Sequence, residues 1–332
     1  MVKKKINYLF SKNGTIPFPE KKNYLFTDSA RQAWEKILNL YKHKISTGKI
    51  LLPAYIGFKP REGSGVFDPV ENSGLKYRFY KVNKKLFSST SIIKSELEKG
   101  DVRLLLLSHW FGLPHVNLIE IQNLCKKFNV LLVEDCAHVI GGFLYDKSIK
   151  LGTYGDCSFY SFNKSLGAKK GGALIVNNLL DEHKFFFSTS KHCCPKKILE
   201  NILFSDVRQI ALHRKNSYLK LARSLKNIKN IKVIYQNIED HIPHSFPVYV
   251  NKNIREKIYF SLIEAGIPLT ALYHRLIKEI DEKKFPESYF LSRGILNLPI
   301  HQNVSEKLLA KIVKVLRSVL KKIKSQQHNE LK

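Results

Sequence analysis

The chain contains no apolar run long enough to span a bilayer. A spanning helix needs roughly 18 or more apolar residues, and the longest candidate, Leu104–Leu107, is bracketed by Arg103 and His109. The first residues, Met1 to Asn7, are basic but lack the apolar segment of a signal peptide. Paired-cysteine patterns are missing as well. Cys125, Cys136, Cys157, Cys193 and Cys194 form no CxxC pair, and the odd number argues against a disulfide framework. His192-Cys193-Cys194 has no second ligand pair at zinc spacing, so no metal site is expected. There is no internal repeat and no low-complexity linker. These absences exclude a membrane-spanning or disulfide-stapled protein and point to a soluble chain in the cytoplasm.

Acidic residues are scarce. The chain has 28 Asp and Glu against 56 Lys and Arg, a formal net charge of +28. Lysine supplies 45 of the bases and arginine 11, scattered from Lys3 to Lys332. A dedicated nucleic-acid binder concentrates charge in a patch and uses arginine for bidentate contacts. No specific nucleic-acid partner is therefore expected. A lysine-covered, solvated surface fits better, with an anionic substrate or acidic lipid as the functional reading. At 332 residues and 44% hydrophobic, the composition is that of a globular protein of about two domains.

Between residues ~25 and ~180, short apolar runs alternate with amphipathic ones. Ser29 precedes Ala33, Trp34, Ile37, Leu38 and Tyr41, one apolar stripe on a helix with a serine near its start. Strands are expected over Ile50–Pro53, Arg103–Ser108, Val130–Val133 (stopped by Glu134-Asp135) and Gly172–Val176, with a helix marked by Ile121, Leu124, Cys125 and Phe128. This alternation predicts an α/β fold with a mainly parallel sheet covered by helices. A long helix, roughly Asp206–Leu225, leads to strands near Ile231–Tyr235 and Ser245–Val250. Helices follow near Arg255–Ala265 and Ser305–Lys324. The last is amphipathic and basic. It is expected to cover a small α+β domain rather than lie on a membrane. The division expected is a large domain over 1–225 and a small one over 226–332.

Ligands of open parallel sheets bind at the carboxyl ends of the strands. Three such places carry unusual residues: Val133–His138 (VEDCAH), Cys157–Leu166 (CSFYSFNKSL) leading to Gly171-Gly172, and the helix start Thr27–Arg31. An acid, a lysine and a helix N-terminus able to take a phosphate are what a pyridoxal-phosphate enzyme needs. A lysine amine holds the cofactor's aldehyde. A carboxylate on the pyridine nitrogen contributes ~1.5–3 kcal/mol, which raises that nitrogen's pKa by roughly one to two units. Backbone N–H groups and hydroxyls at a helix start receive the phosphate. Asp135 and Lys164 lie 29 residues apart, room for a turn and one more strand.

Several ordered segments resemble the DegT/DnrJ/EryC1/StrS sugar aminotransferases, a branch of the fold-type I aminotransferases. Tyr24–Ala33 is similar to the family's Ser-Gly-Thr/Arg-x-Ala helix start, and Leu51–Ile56 to its Leu-x-Pro-x-Tyr/Phe-Thr strand end. Ser108–Pro114 resembles its His-x-(Tyr/Phe)-Gly-x-Pro segment, and Glu134–His138 its Glu-Asp-x-Ala-Gln/His motif, the most specific of the set. Ser161–Leu166 with Gly171-Gly172 resembles the lysine loop. Gly266–Pro268 and Leu298–Gln302 resemble late motifs of the small domain.

The resemblance implies an aspartate aminotransferase-like fold and pyridoxal 5'-phosphate as cofactor. It also implies a homodimer that moves an amino group, with glutamate as donor, to a nucleotide-linked keto-sugar for surface polysaccharide or a related glycan. Lys164 would then be the Schiff-base lysine and proton shuttle, and Asp135 the partner of the pyridinium. His138 would lie beside the ring's phenolic oxygen. Ser29 with the Ala30 and Arg31 amides would hold the phosphate, with Ser161 and Asn163 as further phosphate candidates. Tyr55 or Phe58 would stack on the ring; Gly57 stands where many members have the aromatic, and the choice stays open. The sequence also departs from the pattern. The stretch from Ser161 to Lys164 is two residues shorter than in the commonest form, and Ala30 replaces a glycine. Lys169-Lys170 stand where the family usually has Gly-Glu or Pro-Asp, and no Asn-Tyr-Arg-Met-like segment is present. Two alternatives remain: a cofactor-dependent eliminase or racemase, and a non-catalytic binding or regulatory protein.

Overall fold

The computed structural model describes residues 24–140, 151–177, 205–239 and 241–329. The basic start of the chain and the Cys193-Cys194 pair lie outside these residues.

Seven strands form the main sheet: β1 (Tyr24–Thr27), β2 (Lys49–Pro53), β3 (Tyr77–Tyr80), β4 (Val102–Ser108), β5 (Leu131–Cys136), β6 (Cys157–Ser161) and β7 (Gly172–Val176). Their order is β1-β7-β6-β5-β4-β2-β3. Strands β3, β2, β4, β5 and β6 run parallel, and β7 is antiparallel to both β6 and β1. The mainly parallel sheet expected from the alternation is thus present.

Parallel strands buried on both faces read as continuous apolar runs, and β4 shows why. Leu104 and Leu106 join Leu131 and Val133 in a core with Trp34 and Ile37 of α1 (Ala30–Leu40). Helices α2 (Lys42–Ile45) and α3 (Phe67–Ser73) lie on this side through Ile45, Phe67 and Val70. Leu105 and Leu107 face the opposite way with Leu132 and Cys136. There they meet Ile93 and Leu97 of α4 (Thr90–Leu97) and Ile121 and Cys125 of α5 (Leu118–Lys127). At α1 the Ser29 hydroxyl caps the helix by accepting the Gln32 N–H at 3.2 Å.

One expectation is corrected here. Strand β5 does not stop before Glu134-Asp135; it continues through both to Cys136. The acids remain in the strand because their carboxylates find partners inside the protein, as described below.

A short helix α6 (Phe162–Leu166) follows β6. Helix α7 (Val207–Leu225) then carries the chain to a second, antiparallel sheet, β8 (Ile231–Val233), β9 (Phe246–Val250) and β10 (Ile295–Leu298), in the order β10-β9-β8. Helix α8 (Lys252–Glu264) covers it through Ile254, Ile258 and Leu262. Helix α9 (Pro286–Gly294) leads into β10, and α10 (Glu306–Asn329) buries Leu309, Ile312 and Leu316 in the same core. The basic amphipathic segment therefore covers a small sheet, as its stripe predicted. Helix α7 serves two cores. Val207 and Ala211 pack with Phe26 and Phe162, whereas Tyr218, Leu221 and Leu225 pack in the second core. Among the described residues, no helix is long and apolar enough to cross a membrane.

Candidate active site

Asp135 lies at the carboxyl end of β5, paired with Ser108 on β4 and Phe159 on β6. Its half-buried carboxylate accepts the Ala137 N–H at 2.9 Å and the Ser108 hydroxyl at 3.4 Å. Burial raises its pKa, while the Lys164 charge and the Ala137 N–H pull it back down. The preceding acid has a different task. Glu134 is fully buried and accepts the N–H groups of Gly152, Tyr154 and Gly155 at 2.9, 2.7 and 2.6 Å, with His109 Nε2 at 2.7 Å. It pins the segment before β6 to the end of β5. His109, Glu134 and Cys136 place potential ligand atoms within 4.8 Å of one another. The Glu134 oxygens are already engaged, however, and burial lifts the Cys136 thiol well above its usual range, which disfavours the thiolate a metal needs.

Lys164 projects from α6, directly after β6 on the neighbouring strand. Its side chain is open to solvent, yet enough protein surrounds it that desolvation lowers its ammonium pKa. Asp135 and Glu62 oppose that shift, and Lys59 reinforces it. The lysine and Asp135 are thus brought within electrostatic reach, each favouring the other's charged form.

His138 is buried, and its Nδ1 accepts the Phe111 N–H at 3.2 Å. The imidazole proton therefore sits on Nε2, which is buried and has no partner among the described residues. Desolvation, then Lys164 and His244, hold its pKa well below the usual value, so the ring is neutral at pH 7. It offers one unspent N–H donor.

At the other end of the site, Ser29, Ala30 and Arg31 form the start of α1, where the first amides have no intrahelical carbonyl and no acid occupies the first turn. Gly172 packs against this start: a Cβ there would lie 2.5 Å from the Ser29 carbonyl carbon and 2.6 Å from the Ala30 nitrogen. Gly171, with φ 111°, donates its N–H to the Asp28 carbonyl at 2.7 Å. The glycine pair is thus the joint between β7 and the helix start, more than a simple turn. Ser161, paired with Gly172, is buried beside it. Asn163 is turned to other work, donating from Nδ2 to the carbonyls of Ala168 and Lys169 at 2.9 and 3.3 Å. The Arg31 side chain holds the loop after β2, donating to the Glu62 carbonyl and lying 3.6 Å from Asp68.

Tyr55 is fully buried. Its hydroxyl donates to the Leu272 carbonyl at 3.0 Å and accepts the Tyr273 N–H at 2.7 Å. Phe58 is 40% exposed. Between them Gly57 leaves room for Tyr273, whose ring would lie 2.0 Å from a Cβ at that position. Tyr273, His244 and the His109–Glu134 pair were not singled out by sequence reasoning. Each depends on a contact between distant segments, and no local spacing signals it. The described cysteines are buried, with Cys125 and Cys157 pushed up to about 12 by desolvation, so neither offers a reactive thiolate.

The strand-end acid, the lysine on the next strand's helix and the serine-capped helix start occur in the order the motifs required. The DegT/DnrJ/EryC1/StrS aminotransferase family model matches residues 67–202, which include Asp135, His138 and Lys164. The chain resembles this family over that segment, which is less than half of its length. It is 28% identical over 251 residues to the UDP-4-amino-4,6-dideoxy-N-acetyl-beta-L-altrosamine transaminase of Campylobacter jejuni subsp. jejuni serotype O:23/36 (strain 81-176), covering 64% of this chain and 65% of that relative. With the dTDP-3-amino-3,6-dideoxy-alpha-D-galactopyranose transaminase of Aneurinibacillus thermoaerophilus it shares 25% identity over 239 residues, 64% of each chain. The match thus spans less than two thirds of the length of these curated relatives. Among solved structures, the aminotransferase TlmJ from Streptoalloteichus hindustanus superposes with a TM-score of 0.76 at 16% identity, covering 91% of this chain and 87% of that one. A Streptococcus pneumoniae protein solved in its PLP form gives 0.75 at 14% identity, covering 97% and 96%. The fold of these solved aminotransferases is the fold of this chain.

Proposed function

We propose that this chain is a pyridoxal 5'-phosphate-dependent aminotransferase that moves an amino group, with glutamate as donor, to a keto-sugar carried on a nucleotide. The observation that carries the reading is the electrostatically coupled pair Asp135 and Lys164 at adjacent strand ends, with His138 Nε2–H, which has no partner among the described residues. The relatives' names support the substrate class, since both are transaminases of nucleotide-linked amino sugars. The PLP and PMP forms of the pneumococcal neighbour support the cofactor.

The residues fit the cofactor's three demands. When bound, the cofactor supplies an electrophilic carbonyl and an electron sink. Asp135 would hold the pyridine nitrogen, and the Ala137 and Ser108 donors keep its carboxylate oriented. His138 would donate from Nε2 to the ring's oxygen. The Ser29 hydroxyl with the Ala30 and Arg31 amides would receive the phosphate, with Ser161 alongside. Lys164, its ammonium pKa lowered by burial, presents a larger neutral-amine fraction than a surface lysine and can take and return a proton near Asp135. Exposed Lys59, Lys169 and Lys170 would attract a diphosphate-bearing substrate. A homodimer in the cytoplasm completes the reading.

The test is the visible spectrum of the purified chain with added pyridoxal phosphate before and after borohydride. Mass mapping of the adduct and transfer of 15N from glutamate to UDP- or dTDP-keto-sugars complete it. Label confined to Lys164 and 15N in the sugar are expected. A colourless protein, or label spread over surface lysines, would overturn the reading in favour of a binding protein.

A further inference from the structure

Helix α6, which bears Lys164, has only five residues, so its last carbonyls have no intrahelical donors. Two consecutive ones are taken by side chains from elsewhere, and a histidine ring lies beside a third. The His244 ring lies beside the Lys164 carbonyl, which partly offsets the desolvation that lowers the ring's pKa. Arg214 Nη2 donates to the Ser165 carbonyl at 2.7 Å. Gln302 Nε2 donates to the Leu166 carbonyl at 3.3 Å, while its Oε1 accepts from Arg214 Nη2 at 3.3 Å.

All three come from the edge of the second core. Arg214 lies on α7, His244 two residues before β9, and Gln302 four residues after β10. Arg214 is 2% exposed, and among the described residues its Nε and Nη1 have no partner and no carboxylate pairs with it. A buried cation without a counter-charge is costly. Here its compensation is the negative end of α6. A neutral cap would satisfy Ser165 at lower cost, so an arginine at this place points to a task beyond packing.

We propose that Arg214, His244 and Gln302 are positioning residues that clamp the carboxyl end of α6 and so hold Lys164 at the site. The clamp fixes the backbone carbonyls of Ser165 and Leu166, with the His244 ring beside that of Lys164. Without it α6 can fray, and the lysine leaves its surroundings for open solvent. The charged and titratable groups acting on Lys164 are Asp135 from β5 and Lys59 and Glu62 from the loop after β2. Lys164 in turn acts on His138 and on His244. This inference rests on Lys164 as the reactive amine.

The test measures Lys164 itself and uses no cofactor. The full chain, stripped of bound carbonyl compounds with hydroxylamine, is labelled with acetic anhydride across a pH series, and modification is mapped by mass spectrometry against Lys169 and Lys170. In the parent protein Lys164 should reach half-maximal labelling rate at a lower pH than these controls. Arg214→Met and Gln302→Leu should move that midpoint toward the controls, with labelling of Lys164 relative to them at pH 8 falling about tenfold in R214M. Arg214→Lys, which keeps a charge and a donor, should recover most of the difference. Folded variants in which the Lys164 midpoint stays put, even with a lowered Tm, would overturn the proposal and leave a purely structural cap. If R214M does not fold, Q302L and His244→Asn carry the test. Failure of the cofactor reading would appear separately, in the borohydride experiment.

Discussion

His138 and His244 lie ring on ring, with centroids 4.5 Å apart and planes 16° from parallel. One residue locks the pair: the Phe111 N–H goes to His138 Nδ1, and the Phe111 carbonyl accepts the His244 N–H at 2.7 Å. Gly112, at φ 80°, makes this approach possible, since a Cβ there would lie 2.4 Å from the Ile242 carbonyl oxygen. The main sheet and the second core thus meet through stacked imidazoles beside Lys164.

These rings give the chain an acid sensitivity. Desolvation holds His138 and His244 well below their ordinary pKa, and His115 is pushed down to about 3 for the same reason. Unfolded imidazoles titrate near 6.5. Below about pH 6.5 the unfolded chain therefore takes protons that the folded one refuses, and stability falls as pH falls. For buried His138 the loss is at most about 1.4 kcal/mol per pH unit. Thermal melts at pH 7.5 and pH 5 should show a falling midpoint, with a smaller drop in a His138→Gln, His244→Gln double variant. An equal drop would refute the assignment.

Glu134→Ala should destabilise the fold by about 3–5 kcal/mol, because it strands three N–H groups, two of them buried, and the His109 ring together. Urea denaturation measures it. Glu134→Gln, which keeps one carbonyl acceptor, should cost less.

Gly172→Ala should act through phosphate. The added methyl meets the Ser29–Ala30 peptide at 2.5–2.7 Å, so the start of α1 must shift. Affinity for pyridoxal phosphate should fall tenfold or more, about 1.4 kcal/mol. Affinity for unphosphorylated pyridoxal should hardly change. Absorbance titration of both compounds distinguishes a displaced phosphate cradle from general damage.

Asp135→Asn should leave the fold intact, since the amide oxygen can still accept the Ala137 N–H and the amide Nδ2 can donate to the Ser108 hydroxyl oxygen. It removes a charge-assisted hydrogen bond of about 1.5–3 kcal/mol, so turnover should drop roughly 10- to 150-fold. Steady-state kinetics check this; unchanged kcat would remove Asp135 from the chemistry.

The amino-acid sequence by itself determined the main elements and where along them most of the candidate residues fall. The leucine run of β4, the stripe Ala33, Trp34, Ile37 and Leu38, and the stripe of α10 are periodic patterns that allow few other structures. Asp135, His138, Lys164 and the helix start at Ser29 were legible because they sit at strand ends and helix starts, where local chemistry has a fixed spacing. Tertiary structure decided what partners those residues have. It kept Glu134 inside β5 by wrapping the 152–155 backbone around its carboxylate. It engaged the Tyr55 hydroxyl with Leu272 and Tyr273 and set Asn163 to hold its own loop. It also brought Arg214, His244 and Gln302 to the end of the lysine helix. Periodicity reports which face of an element is buried; which distant donor meets which carbonyl depends on how the two cores dock, and no local spacing encodes that.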